Sequence, residues 1–274
     1  MRVFRIRKKS GGFRTIHAPS KSEKQEMRKL LPALTGLAVE LDENGVSHGF
    51  MPGRSAVTNA MSHVGDWEYT ISLDLEDFFD TVDAHHVYCL SAKHIKRFKE
   101  TIYGKGVFPP KQGLPTSPVI ANIAFSAMDS ALFPKGTVSY VYTRYADDLT
   151  FSWRKTDDRA KAPVGALLGG LKKILRAEGF VLHPDKTMVM RDGDRQKVTG
   201  LVVNKAGDGV AEARVPRETI RKLRAAIKNR ELGRPGKGEE TIDQLKGMAA
   251  FVYMCDPKKG QTFLDRLAKL EEKG

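Results

Sequence analysis

Residues 138–153 constrain this 274-residue chain most. Val138 to Tyr145 and Leu149 to Trp153 are two apolar runs rich in β-branched and aromatic residues, separated only by Ala146-Asp147-Asp148. Such runs read as strands, and so short a break joins them as a β-hairpin with two acids at its tip. Segment 69–75 alternates strictly, with Tyr69, Ile71, Leu73 and Leu75 on one face and Thr70, Ser72 and Asp74 on the other. It reads as a half-buried strand ending in an acid. If hairpin and strand are neighbours, Asp74, Asp147 and Asp148 meet where the strands end. Three close carboxylates repel one another unless cations sit between them. Mg²⁺ takes one or two carboxylates and keeps positions for water or phosphate oxygens. Two such ions roughly 3.5–4 Å apart serve in-line phosphoryl transfer. Plainer readings exist for each acid: Asp is common in tight turns, and Asp74 could cap a helix starting near Asp77.

Charge favours the chemical reading. Lys and Arg exceed Asp and Glu by 13, with pI near 9.7, so the chain gains most from a phosphate-rich partner. No stretch approaches the ~20 apolar residues of a membrane span, and Met1-Arg-Val-Phe-Arg-Ile-Arg7 has no signal-peptide core, so a cytoplasmic, membrane-free protein is expected. The two cysteines, Cys89 and Cys255, are expected as buried thiols, and His85-His86 with Cys89 lacks a fourth zinc ligand at a usual spacing.

Ser20-x-x-Glu23 is a capping box opening a surface helix over 20–31, with Met27, Leu30 and Leu31 on one face. A helix over 117–133 starts around Pro118 and packs closely through Ala121, Ala124, Ala127 and Ala131. The Leu and Ile pattern of 164–179 is helical and stops at Gly179, and a strand is expected at 180–183. Three helices end the chain: 216–232, with Ile220, Leu223 and Ile227 opposite Arg221, Arg224 and Lys228; 241–255, capped by Thr241-x-x-Gln244; and 259–272. A loop over 233–238 joins the first two. The class expected is α+β with an appended helical subdomain.

Three ordered motifs then resemble those of bacterial reverse transcriptases. They are Leu73-Asp74-Leu75-Glu76-Asp77-Phe78-Phe79, Gln112-Gly113-Leu114-Pro115-Thr116-Ser117-Pro118 with Ala121-Asn122, and Tyr142-Thr143-Arg144 before Tyr145-Ala146-Asp147-Asp148. Asn59-Ala60-x-x-His63 and Val198-Thr199-Gly200, within Arg195 to Val203, are similar to signatures of retron enzymes. The resemblance covers roughly residues 5–255 and departs at the start, where retron enzymes usually carry an additional helical stretch.

The resemblance implies a right-hand fold: fingers in 1–66, palm in 67–204 with about 84–115 contributing to the fingers, and a basic helical thumb in 205–274. It implies two Mg²⁺ held by Asp74, Asp147 and Asp148, with the Leu75 carbonyl as a further ligand. Lys8 and Arg14, flanking the turn Ser10-Gly11-Gly12, would grip the triphosphate of a dNTP near Asp77, and Phe79 would exclude its 2′-hydroxyl. Gln112 and Gly113 would line the nascent base pair, a glycine allowing close backbone approach. Lys186 would serve the departing pyrophosphate. Asn59, His63, Val198, Thr199 and Gly200 would hold RNA and primer, and Arg221, Arg224 and Lys228 would track the duplex. His63 can equally be a core histidine, Asn59 a cap, and Phe78 reads as core.

The function implied is a retron RNA-directed DNA polymerase copying part of a dedicated structured RNA, primed from a 2′-hydroxyl, leaving an RNA–DNA product and serving phage defence. Rivals are another bacterial reverse transcriptase, an RNA-templated RNA polymerase, disfavoured by the bulk of Phe79, and a scaffold whose RNA–DNA complex restrains a toxic effector.

Overall fold

The computed structural model describes residues 1–8, 11–134, 140–154, 164–204, 212–234 and 240–271. Val138, Ser10, residues 235–238 of the expected loop and the last residue of the expected helix 259–272 lie outside them. In chain order the elements are β1 (Arg2–Arg7), β2 (Phe13–Ala18), α1 (Lys21–Leu41), α2 (Ala56–Met61), β3 (Trp67–Asp74), α3 (Phe78–Thr81), α4 (Ala84–Tyr88), α5 (Ala92–Ile102) and α6 (Ser117–Leu132). Then follow β4 (Tyr140–Tyr145), β5 (Asp148–Arg154), α7 (Val164–Ala177), β6 (Met188–Arg191), β7 (Lys197–Val198), β8 (Leu201–Val202), α8 (Arg217–Glu231), α9 (Ile242–Cys255) and α10 (Pro257–Glu271). The chain divides into two compact units, Met1–Ser55 with Trp67–Val189 and Ala56–Asp66 with Met190–Gly274.

The first unit is built on a sheet of order β4-β5-β3-β6, in which β5 runs antiparallel to both β3 and β4. Alternation in β3 and β5 sets which side chains share a face. Ile71 opposes Phe151 and Leu73 opposes Leu149, all fully buried, while Thr70 opposes Ser152 and their hydroxyls meet at 3.0 Å. α6 is buried along nearly its whole length and contributes Ile120, Ile123 and Phe125 to the same core. Each such side chain stabilises the fold by roughly 1.5–3 kcal/mol relative to exposure. Phe78 is core as expected, edge-on to Phe125 at 5.6 Å.

The Ser20 capping box forms, but α1 runs ten residues past the expected end because Leu34, Leu37 and Ala38 are buried against α6 and reward continuation through Pro32. No strand forms at 180–183. Phe180 is buried and its amide closes on the Leu175 carbonyl at 2.9 Å, Leu182 makes one isolated bridge to Leu75, and a 3₁₀ turn follows at Pro184–Lys186. Cys89 is exposed and Cys255 partly so, and both are free, against the expectation of buried thiols.

The second unit holds two small cores. Leu223 and Ile227 of α8 pack with Leu245, Ala249 and Val252 of α9 and with Phe263 and Leu267 of α10, the amphipathic arrangement the spacing predicts. The Thr241 capping box opens α9. Ala60 of α2 packs with Val198, Leu201, Val203 and Ala213.

Candidate active site

The strand register brings the three acids together. Asp74 and Asp148 are directly opposed partners at the ends of β3 and β5, and Asp148 also opposes Tyr145. Directly opposed side chains have Cβ atoms about 5 Å apart, and like charges so placed destabilise a sheet. The hairpin loop is the pair Ala146-Asp147, with Ala146 in the left-handed region at φ 57°. The Asp147 carbonyl accepts from the Leu75 amide at 2.9 Å, and the Asp74 carbonyl from the His183 amide at 2.8 Å. Backbone bonds therefore tie the hairpin tip to the end of β3 and to the segment after α7.

Electrostatics follow from this crowding. Burial, then the charges of Asp147 and Asp74, raises the Asp148 carboxyl to about 6. Asp147 is raised too, chiefly by burial and by Asp74, with Lys186 and Arg14 opposing. Lys186 donates to Asp74 Oδ1 at 2.7 Å, and that bond holds its ammonium above the usual lysine range. Asp74 thus pairs with a cation and caps no helix. Three carboxylates, two of them held above their ordinary range, with an ammonium drawn to the third, form an all-oxygen donor set suited to a hard cation such as Mg²⁺.

A cavity of about 840 Å³ opens beside them. Of the residues expected to serve the nucleotide, Lys8, Arg14, Asp77, Phe79, Gln112 and Lys186 all line it, as do Asp74, Leu75 and Asp147. Lys8 donates to Asp77 Oδ1 at 2.6 Å, so the two residues expected around the triphosphate hold each other. Gly113 does not line the cavity. Its φ is 104° and an added Cβ would lie 2.4 Å from the His17 carbonyl oxygen, so its backbone approaches β2 closely.

Phe50 was not expected here. It lines the cavity, 56% exposed, at φ 59°. An exposed aromatic in left-handed backbone is uncommon. Its setting, His48-Gly49-Phe50-Met51-Pro52-Gly53, reads from sequence as an ordinary turn, so only its geometry marks it. Around His85-His86 and Cys89, Glu178 joins the cluster while His86 is engaged elsewhere. The His86 ring accepts from the Asp83 amide and meets the Glu178 carbonyl, leaving His85, Cys89 and Glu178 as the cluster among the described residues.

In the second unit the two retron-like signatures are brought together although they are far apart in sequence. Thr199-Gly200 is the two-residue loop between β7 and β8, both residues left-handed at φ 45° and 82°. A β-branched residue there is an outlier, and Thr199 Oγ1 is anchored on the Ala56 carbonyl at 2.6 Å. Asn59, His63 and Val198 are buried, and the exposed part of the feature is Gly200 with half-buried Thr199. Ala60 of α2 packs onto Val198 in the same small core. Arg221, Arg224 and Lys228 are exposed on α8, and Arg221 and Arg224 line a cavity of about 930 Å³ together with Arg214 and Arg217.

An acid-tipped hairpin beside an acid-ended strand, on an antiparallel sheet backed by helices, is the arrangement of template-dependent polymerases, and the match to known families agrees. The model of the family described as reverse transcriptase (RNA-dependent DNA polymerase) matches residues 6–223, and the chain belongs to that family. Among curated proteins it is similar to the retron Mx162 reverse transcriptase of Myxococcus xanthus, 41% identical over 97% of this chain and 60% of that one. It is 32% identical to the retron Mx65 reverse transcriptase of the same organism, over 96% and 63%, and 29% identical to the retron Ec86 reverse transcriptase of Escherichia coli, over 99% and 82%. The chain thus spans about 60% of the length of the two Myxococcus proteins. Among solved structures it resembles apo telomerase from Candida tropicalis, with TM-score 0.53, 14% identity, and coverage of 98% of this chain and 56% of that one. Telomerase from Candida albicans in complex with a TWJ fragment of telomeric RNA gives TM-score 0.52 at 15% identity, covering 96% and 56%. Identities this low speak for the fold alone, the right-hand polymerase fold expected from the motifs.

Proposed function

We propose that this protein is a retron RNA-directed DNA polymerase that copies part of a dedicated structured RNA into DNA. The observation that carries the retron reading is likeness along nearly the whole chain to three retron reverse transcriptases. The assembly of Asn59 to His63 with Val198 to Gly200 into one small body supports it.

In this reading Asp74, Asp147 and Asp148 would hold two Mg²⁺, with the Leu75 carbonyl as a further ligand. Bound Mg²⁺ would stabilise the attacking and leaving oxygens of in-line nucleotidyl transfer. Lys8 and Arg14 bind the triphosphate, Lys8 exchanging the Asp77 carboxylate for phosphate oxygens of the same charge sign. Lys186, which donates to Asp74 Oδ1, would offset charge on the departing pyrophosphate. Phe79, half-buried at the cavity wall, positions the sugar and excludes a 2′-hydroxyl, and Gln112 lies beside the nascent base pair. Thr199 and Gly200 recognise the cognate RNA, and the basic face of α8 follows the duplex backbone. We assign residues 1–66 to fingers, 67–204 to palm, with about 84–115 joining the fingers, and 205–274 to thumb. Priming from a 2′-hydroxyl of the RNA, a linked RNA–DNA product, a restrained effector protein, a cytoplasmic location and a role in phage defence complete the proposal. Among the described residues no helix is long and apolar enough to cross a membrane.

The test is the nucleic acid carried by the protein expressed from its own locus. The expected material is single-stranded DNA of one discrete length that shifts on ribonuclease treatment and again on hydrolysis of a 2′,5′ linkage. DNA of many lengths with no RNA attached would point to a non-retron reverse transcriptase, and no DNA at all would refute synthesis.

A further inference from the structure

Beneath the acid-bearing loop lies a buried charge that the proposed chemistry does not use. Arg144, on the apolar face of β4, is fully buried, and every one of its five N–H donors has a partner. Nε and Nη2 form a fork on the carboxylate of Asp129 in α6, at 3.0 and 2.7 Å. Nη2 also donates to Ser47 Oγ at 3.2 Å, and Nη1 to Asn122 Oδ1 at 2.8 Å and the Ala146 carbonyl at 3.2 Å. The guanidinium lies over the Phe125 ring, 4.8 Å from its centroid. Asn122 Nδ2 donates to the Gly49 carbonyl at 2.9 Å, and Gly49 presses on the loop so closely that an added Cβ would sit 2.5 Å from the Ala146 amide nitrogen. Backbone bonds from the His48 amide to the Arg144 carbonyl and from the Arg144 amide to the Val46 carbonyl lock the same segment along β4.

Two of these contacts, the Arg144 Nη1 bond and the close approach of Gly49, reach Ala146, a non-glycine residue in left-handed backbone at φ 57°. Such a conformation persists only where its surroundings over-determine it. A buried, partnered charge is also costly relative to apolar packing, so its presence calls for a reason besides stability. We infer that Arg144 and Asn122 are positioning residues: through the Ala146 carbonyl and the Gly49 strap they fix the loop so that Asp147 and Asp148 face Asp74. The inference rests on the reading of these acids as a metal site.

The test compares Asn122→Ala with wild type, both well below their melting temperatures. Asn122→Ala removes the link between Arg144 and Gly49 while leaving the Arg144–Asp129 pair intact. Two measurements are made on nucleotide-free protein: Mn²⁺ binding by electron paramagnetic resonance, and amide hydrogen exchange of residues 145–148. The third is kcat for primer extension. The expected result is Mn²⁺ affinity and kcat each lowered by about tenfold or more, with faster exchange confined to the loop. Tyr142→Phe is the control. It removes only the hydroxyl that donates to Asp129 Oδ1, so it lowers the melting temperature and moves none of the three readouts. If Asn122→Ala does not fold, Arg144→Lys replaces it, keeping the charge while losing the fork, with the same expectation. Wild-type values for Mn²⁺ affinity, kcat and exchange in the folded variant would overturn the inference. A wild-type protein that binds no Mn²⁺ would instead sink the metal reading, and the exchange measurement would still decide whether the network holds the loop.

Discussion

Replacing Asp148 by Asn should stabilise the metal-free protein while removing its activity. The Asp148 carboxyl stands at about 6 against an ordinary 3.8, raised first by burial and then by Asp147 and Asp74. At 1.36 kcal/mol per unit, holding it ionised in the fold costs about 3 kcal/mol. Because the group is only partly buried, solvent screening reduces this to about 1–2 kcal/mol. The sign follows from linkage. With the folded pKa above the unfolded one, the folded protein binds the extra proton between about pH 4 and 6, so this carboxyl's contribution to stability falls as pH rises through that window and is at its worst above it. Asparagine is uncharged throughout and escapes the cost. Both tryptophans of the chain, Trp67 and Trp153, lie on β3 and β5, so their fluorescence reports the sheet that carries the acids. In EDTA at pH 7.5 the variant should melt about 3–6 °C above wild type, and the gap should narrow at pH 5, where wild type is itself protonated. Equal melting at pH 7.5, or a variant that melts lower, would refute the reasoning that burial and neighbouring carboxylates make an ionised Asp148 costly to the fold.

Phe79→Ala should lower the kcat/KM preference for dGTP over GTP on one RNA template by tenfold or more, since ~1.4 kcal/mol of lost clash is already tenfold; an unchanged ratio would show that the ring does not face the sugar. Thr199→Val keeps the shape but loses the bond to the Ala56 carbonyl, and should weaken cognate RNA binding more than binding of an arbitrary duplex at one fixed salt concentration, with equal losses arguing for a purely structural role. Gly260→Ala should destabilise the second unit by about 1–3 kcal/mol, because its Cβ would lie 2.2 Å from the Tyr253 Cα, while leaving the first unit's tryptophan-detected melting unchanged; a stability loss within about 0.3 kcal/mol would mean that α9 and α10 can part freely.

What could be read from sequence was what periodicity and local chemistry encode. Strict alternation in 69–75 and the short break at Ala146-Asp147-Asp148 were enough to anticipate the convergence of three acids, since register follows once both strands present one apolar face. Capping boxes at Ser20 and Thr241 located two helix starts for the same local reason. Features that depend on long-range partners were hidden. Arg144 stands among apolar residues of a strand, and only Asp129 and Asn122, brought in by α6, explain it. Pro32 marks an ordinary helix end, yet buried Leu34 and Leu37 carry α1 onward. The close approach of Gly113 to the His17 carbonyl is invisible in sequence, because the two lie on segments far apart in the chain. The retron-like signatures were visible as motifs, but their burial was not, because Asn59 and His63 are polar residues enclosed by a fold that brings residues 56–66 to residues 190–203.

Everything proposed for this protein depends on Asp74, Asp147 and Asp148 forming a metal site for copying RNA into DNA. That assignment is tested most directly by extending a DNA primer on an RNA template with dNTPs while Mg²⁺ is titrated from zero, for wild type, Asp147→Asn and Asp148→Asn. Wild type should show no extension without divalent metal and saturating extension with it, and both folded variants should lose at least about a thousandfold. Metal-independent extension, or extension by either variant at the wild-type rate, would contradict the assignment.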